Sequence, residues 1–389
     1  MDNMLNDAQR QAQAGFREFV DEWVVPVADE HDRLQQTPDE LIRRMVDMGY
    51  LGGIIPTQYG GAGMDALTWG LLCEEVGRGS ASLLSLLTVH GMVAQALIKW
   101  GSEAQRARWL PLLARGERIG AFGLTEPNVG SDAASIETTA TAEDEGWRLT
   151  GHKRWISFGQ VASLVLVIAK AEGKAAAFLV ERGTPGFSTA PITGMLGFRA
   201  AMLADIYLED CRVPGDQLLG RVGFGFSHVA GTALDHGRYC VAWGCLGLAG
   251  AGLEASLAYT SERKQFGVLL KNHQAIQQLV ADMIAQISAA RAMCHQAARL
   301  KQAGDPALIM ETSIAKYFTS RMAVQVALDA VQIHGANGCS DRYPVQRYLR
   351  DAKIMEIIEG SNQMQQIIIS KHGYQAFRFG RRAASGEAK

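Results

Sequence analysis

Apolar positions along the chain fall into three regimes. From about Asn6 to Gly116 they recur at helical spacing. Leu41, Ile42, Met45 and Met48 make one such stripe, with Thr37 as the expected N-cap, Pro38 as the first helical residue and Gly49 as the stop. A loop from Ile55 to Gly63, with Gly60, Gly61 and Gly63 read as turn formers, leads to two further predicted helices at about 66–77 and 82–100. Around Ile119 the period changes. Short β-branched or alternating segments at 135–142, 147–149, 164–168, 176–180 and 204–208 are separated by turn-forming stretches at 143–146 and 183–186. Such spacing predicts an antiparallel barrel or sandwich ending near Val213-Pro214. From Phe224 onward the helical period returns. Ile276, Leu279, Val280, Met283, Ile284 and Ile287 form one stripe, Gly304-Asp-Pro306 a break, and Ile314, Tyr317, Phe318, Met322, Val326 and Val331 a second stripe. The expected fold class is therefore α+β: a helical unit over 1–118, a β unit over 119–223 and an antiparallel four-helix bundle over 224–389.

Composition narrows the function without naming it. In 389 residues, 48% apolar and 20% charged side chains supply ample core material, which excludes a disordered chain. The 38 basic and 40 acidic residues leave a formal charge of −2, too balanced for a charge-driven nucleic-acid or anionic-membrane role. Six cysteines without a CxxC pair suggest a reduced, cytoplasmic setting and no zinc site, and the histidines show no HExxH spacing. The opening Met-Asp-Asn-Met-Leu-Asn-Asp lacks the basic and apolar regions of a signal peptide, and the uncharged run 239–253 is too short and glycine-rich to span a bilayer. Gly250-Ala-Gly-Leu-Glu-Ala255 matches a dinucleotide fingerprint, but no strand precedes it. Gly244, Gly247, Gly250 and Gly252 read instead as sites of close helix packing, and no GxSxG elbow is present.

Three segments carry chemistry. Phe122-Gly-Leu-Thr-Glu-Pro-Asn-Val-Gly-Ser-Asp132 sets the Thr125 and Ser131 hydroxyls among backbone N–H groups in an irregular loop, a setting for anionic or carbonyl-rich ligands. In His152-Lys-Arg-Trp-Ile-Ser-Phe158, an extended chain would put Trp155 and Ser157 on one face, an aromatic plane beside a hydroxyl. In Arg350-Asp-Ala-Lys-Ile-Met-Glu-Ile-Ile-Glu-Gly-Ser-Asn-Gln-Met-Gln-Gln366, Glu359 follows two isoleucines where a helix ends. A carboxylate among apolar neighbours is poised as a base.

These segments, in this order, resemble the acyl-CoA dehydrogenase family of flavoproteins. Further matches are the 56–63 loop, Arg263-Lys-Gln-Phe-Gly267, His273-Gln-Ala-Ile276, Gln332-Ile-His-Gly335 and Tyr343-Pro344. The resemblance implies FAD-dependent α,β-dehydrogenation of an acyl thioester, carried on CoA or an acyl carrier protein, with an electron-transferring flavoprotein or another acceptor. An oxygen-using oxidase or monooxygenase on the same fold is the alternative. It implies Glu359 as base; Leu124 and Thr125 at the flavin pyrimidine edge; Ser131 near the FAD pyrophosphate and the acyl carrier; Trp155 and Ser157 at the isoalloxazine. Arg263, Phe266, His273, Gln332 and Gly335 would hold the adenosine diphosphate half across a subunit boundary, which implies a homotetramer or homodimer. Ser361 and Gln363 would touch FAD again, and Arg238 and Gly360 would meet the substrate. Some members place the base on the first long C-terminal helix; here Gly237 stands at that position. Phe158, Ile358 and Ala200-Ala201 depart from residues the family often carries.

Overall fold

The computed structural model describes residues 5–385, with side chains through Arg378; Met1–Met4, part of the opening read for a leader, and 386–389 lie outside the described residues. The chain starts with α1 (Asp7–Phe19), opened by an Asn6/Gln9 capping box, then α2 (Ala28–Leu34) and α3 (Asp39–Asp47). Pro38, extended at ψ 146°, is the N-cap of α3 in place of Thr37, and Met48 lies exposed beyond its end. The Thr37 hydroxyl is used elsewhere, donating to Ala200 O at 2.8 Å. Helices α4 (Ala66–Gly79), α5 (Ala81–Trp100) and α6 (Glu103–Ala114) complete this unit.

The β unit comprises β1 (Gly120–Gly123), β2 (Thr139–Glu143), β3 (Gly146–Ile156), β4 (Leu164–Ala171), β5 (Lys174–Glu181), β6 (Phe187–Pro191), β7 (Ala204–Pro214) and β8 (Leu218–Leu219). Strand order is β6-β7-β3-β2-β4-β5-β8, with β1 also on β4. The sheet is mixed, where an all-antiparallel one was expected: β1 and β2 both run parallel to β4. Local periodicity carries no information on this, because parallel neighbours are brought together by crossovers, not hairpins. A helical turn at Ala133–Ser135 also delays β2 to Thr139.

The C-terminal unit holds α7 (Gly231–Glu262), a hairpin of β9 (Lys264–Gln265) and β10 (Val268–Leu269), α8 (Gln274–Ala303), α9 (Leu308–His334), α10 (Val345–Met355) and α11 (Asn362–Ser385). Gly304 ends α8 in the left-handed conformation at φ 64°. Met283 and Ile287 bury the α8 stripe, but Ile284 is 47% exposed. In α7, Gly244 and Gly247 are packing sites: a Cβ would stand 2.0 Å from Leu84 Cδ2 and 1.8 Å from Glu74 O respectively. Gly250 faces open space, and the fingerprint sequence lies inside the helix. Two stretches, Ala81–Trp100 and Gly225–Glu262, are long and apolar enough to cross a membrane, yet 89% and 72% of their windows are buried inside the fold. They are core helices, α5 and α7 packing on each other and on α4.

Candidate active site

The turn between α10 and α11 carries Glu359. Its backbone is left-handed at φ 56°, a region costly for any side chain except glycine, and Gly360 follows at φ 86°. Such a conformation persists only when its surroundings over-determine it. Here donors from three helices do so. Arg238 Nε of α7 reaches Glu359 O at 3.2 Å. Gln365 Nε2 of α11 reaches Glu359 O and Gly360 O at 3.3 and 3.1 Å. Lys316 Nζ of α9 reaches Gly360 O at 3.0 Å. Among the described residues the main-chain N–H of Glu359 has no hydrogen-bond acceptor, and the Ser361 hydroxyl only accepts, from Met364 N.

The Glu359 carboxyl lies against α7. Its Oε2 is buried with no hydrogen-bond partner among the described residues. A Cβ at Gly237 would stand 2.3 Å from that oxygen, so the carboxyl occupies the space a side chain at 237 would need. Burial pushes the Glu359 pKa up to about 7, against the pull of Arg238 and Lys316, with Cys240 adding to the rise. A carboxylate with a free lone pair and a pKa near neutrality is a proton acceptor in waiting.

The second cluster sits on β3 and the loop after β1. Arg154 N donates to Thr125 O at 2.8 Å, which joins the two sequence motifs directly. Trp155 and Ser157 do not alternate along a strand as expected. Trp155 is left-handed at φ 62°, the β3–β7 register slips between Lys153 and Ile156, and Ser157 lies in the following turn. The bulge re-aims the indole, which is 44% exposed with the Arg154 guanidinium over its ring. Leu124 is buried, Thr125 and Ser157 are half-buried, and Ser131 is exposed.

Beneath this cluster lies an ion pair that sequence reasoning missed. Lys153 Nζ meets Glu126 Oε1 at 2.6 Å and Leu124 O at 3.2 Å, both side chains fully buried, and Glu126 also accepts from Thr138 N at 2.9 Å. Burial lowers the Lys153 pKa to about 8 although Glu126 opposes it. Lys153→Met would strand the Glu126 carboxylate, at an expected cost of about 3–5 kcal/mol read as a lower urea midpoint. An unchanged midpoint would mean the pair holds nothing in place.

A loop at 198–202 bridges the two clusters. Ala201 O accepts from Phe158 N at 2.8 Å, and Asp351 Oδ1 of α10 accepts from Phe198 N at 2.8 Å. The strand turn and the base-bearing helix are thereby referenced to one loop. Arg350 extends the tie to the N-terminal unit through Asp32 at 2.6 Å.

The remaining motif residues lie apart. Arg263, Phe266 and His273 gather at the β9–β10 hairpin, where Arg263 O accepts from Leu270 N and His273 faces Gln265 O at 3.2 Å. Phe266 is 97% exposed at the tip. Exposed Gln332 and Gly335 close α9, and Tyr259 of α7 links that corner to the hairpin through His334 O and Asn337. Among the described residues no hydrogen bond joins the hairpin to the Glu359 turn or to Trp155. Exposed Gln363 starts α11. The residues sequence reasoning passed over here are Lys316, Gln365, Asp351 and the Glu126–Lys153 pair. A lysine between the apolar positions Ile314 and Phe318 was a visible signal for the first.

Known proteins resemble this chain in sequence and fold. Family models for the acyl-CoA dehydrogenase N-terminal, middle and C-terminal domains match residues 6–117, 121–211 and 223–374. An acryloyl-CoA reductase (NADH) of Anaerotignum propionicum is 37% identical over 378 residues, 95% of each chain. Butyryl-CoA dehydrogenase from Megasphaera elsdenii superposes with a TM-score of 0.91 at 36% identity, covering 95% of this chain and 98% of that one. A glutaryl-CoA dehydrogenase from Mycobacterium smegmatis, in complex with FADH2, gives 0.91 at 30% identity over 96% of both chains. The chain therefore belongs to the acyl-CoA dehydrogenase family of FAD-dependent oxidoreductases acting on CH–CH bonds.

Proposed function

We propose that this protein removes the α-proton and the β-hydride of an acyl thioester, with Glu359 as the base. The observation that carries the reading is the sealed, partnerless Oε2 of Glu359, held at a pKa of about 7. Glu359 takes the proton, and the C–H electron pair becomes the new C=C bond. The free N–H of the same residue suits the thioester carbonyl oxygen, whose charge grows as the α-proton leaves. When bound, FAD would supply the two-electron oxidant for the β-hydride, at flavin N5.

The residues present fit that cofactor. The half-exposed Trp155 indole offers a stacking plane, and the Thr125 and Ser157 hydroxyls have no hydrogen-bond partner among the described residues. Leu124, Thr125, Trp155 and Ser157 would hold the isoalloxazine, and Ser131 the pyrophosphate and acyl carrier. Ser361 and Gln363 would meet FAD at the α11 start; Arg238 and Gly360 would meet the substrate. Arg263, Phe266, His273, Gln332 and Gly335 form a separate surface that would hold the adenosine diphosphate half of a second subunit's FAD. That separation, with Phe266 fully outside the fold, supports a homotetramer or homodimer. We place the enzyme in the cytoplasm, where its six free thiols stay reduced, with an electron-transferring flavoprotein as acceptor.

The test is anaerobic titration with a panel of acyl-CoA and acyl-carrier thioesters, watching the oxidised flavin band. Bleaching by at least one is expected; none by any would overturn the proposal. Ionised Glu359 is the active form, so reduction at subsaturating thioester should rise with pH through about 7. A rate flat from about pH 5 to 9 would show that the proton goes elsewhere.

A further inference from the structure

Lys316 is a fully buried charge that the proposed chemistry does not use. It sits on α9 with its side chain 0% exposed. An ammonium has three donors to place. All of them converge on one turn: Gly360 O at 3.0 Å, Asn362 Oδ1 at 3.3 Å and Glu356 O at 3.4 Å. One helical turn further on, Ser320 Oγ also donates to Asn362 Oδ1 at 2.9 Å. Asn362 in turn closes the turn on itself, its N–H to Glu356 O at 2.9 Å and its Nδ2 to Glu356 Oε1 at 3.2 Å. The lysine therefore grips both sides of Glu359, the residue before the turn's apex and the residues after it.

Among the described residues no carboxylate bonds to Lys316 directly, and the Glu356 carboxylate is held by Lys353 at 2.8 Å and by Asn362 at 3.2 Å. A buried cation without a bonded counter-ion is expensive and would not be needed merely to end an eleven-residue helix. The charged and titratable groups around it are Cys245 and Arg238 from α7, and Glu356 and Glu359 from the turn itself. Of these, Glu359 is the acidic group that lacks any partner of its own.

We infer that Lys316 is the positioning residue of the base: its ammonium clamps residues 356–362, keeps Glu359 in its left-handed conformation, and biases the carboxyl toward the ionised form. The inference rests on the proposed role of Glu359. A helix cap alone would need donors but no charge, so the two roles separate by experiment.

The variants are Lys316→Met, which removes donors and charge, and Lys316→Gln, which keeps an N–H donor without charge. Each is compared with wild type for FAD content, thermal midpoint, and flavin reduction by the best thioester of the panel across pH. Both should bind FAD. Lys316→Met should reduce flavin about a hundredfold more slowly with KM changed less than about threefold, as expected of a displaced reacting group. In both variants the acid limb should move up by about one pH unit, since a favourable charge near the carboxyl is gone. Lys316→Gln should recover part of the rate but not the limb. Rates within about twofold of wild type with an unmoved limb would overturn the inference. So would failure of both variants to fold with FAD, which would make the lysine a requirement of the fold alone. A wild-type enzyme that no thioester bleaches would instead defeat the assignment of Glu359 itself.

Discussion

Glu359→Gln should retain FAD and lose flavin bleaching by acyl thioesters, by about 10²- to 10⁴-fold, the span general-base catalysis commonly supplies. The substitution keeps shape and removes one thing, a basic lone pair. The carboxylate oxygen it replaces has no hydrogen bond to lose, and the backbone contacts from Arg238 and Gln365 go to the carbonyl, which stays. The same change should move stability in a direction opposite to activity. Folding raises the Glu359 pKa to about 7, so the folded state disfavours the carboxylate. That penalty is absent below the unfolded pKa, near 4.3, and fully present above about 7. The variant should therefore unfold at the same temperature as wild type near pH 4 and at a higher one near pH 8. Residual bleaching near wild-type rate would identify another base, and a lower melting temperature at alkaline pH would show that the carboxylate has a partner.

Gly237→Ala should cost nearly as much, without replacing any reacting group. The added Cβ would lie 2.3 Å from Glu359 Oε2 and 2.5 Å from its Cδ, distances no real pair of atoms tolerates. Gly237 is inside α7, where alanine is otherwise the better helix former by about 1 kcal/mol. The backbone thus gains while the carboxyl is driven off its position. Displacing a reacting group by about 1 Å commonly costs about a hundredfold in rate. We expect that loss in flavin reduction with FAD content unchanged. An active Gly237→Ala enzyme would mean that the carboxyl already rests elsewhere when substrate is bound. The geometry also gives a physical meaning to the glycine at the alternative base position: the space holds one carboxyl or one side chain, not both.

Helical and strand periods were readable from local spacing wherever one face of an element meets the core. Leu41, Ile42 and Met45 in α3, or Met283 and Ile287 in α8, are buried as their stripes require. The reading failed where a long-range contact overrode a local rule. Thr37 looks like a cap, but its hydroxyl is drawn to Ala200, 163 residues away. Trp155 and Ser157 look like strand neighbours, but a bulge and a left-handed tryptophan break the alternation. The parallel pairing of β1 and β2 with β4 left no mark in either strand.

The ordered motifs, with their turn formers and isolated polar residues, were enough to single out Glu359 and the 122–132 and 152–158 segments as candidates, because a residue type and its neighbours are local facts. Its pKa, its partnerless oxygen and its left-handed backbone were not. They arise where α7, α9 and α11, apart in sequence, converge on one turn. Burial and field at a carboxyl are sums over everything packed around it, so they exist only once the chain has closed on itself.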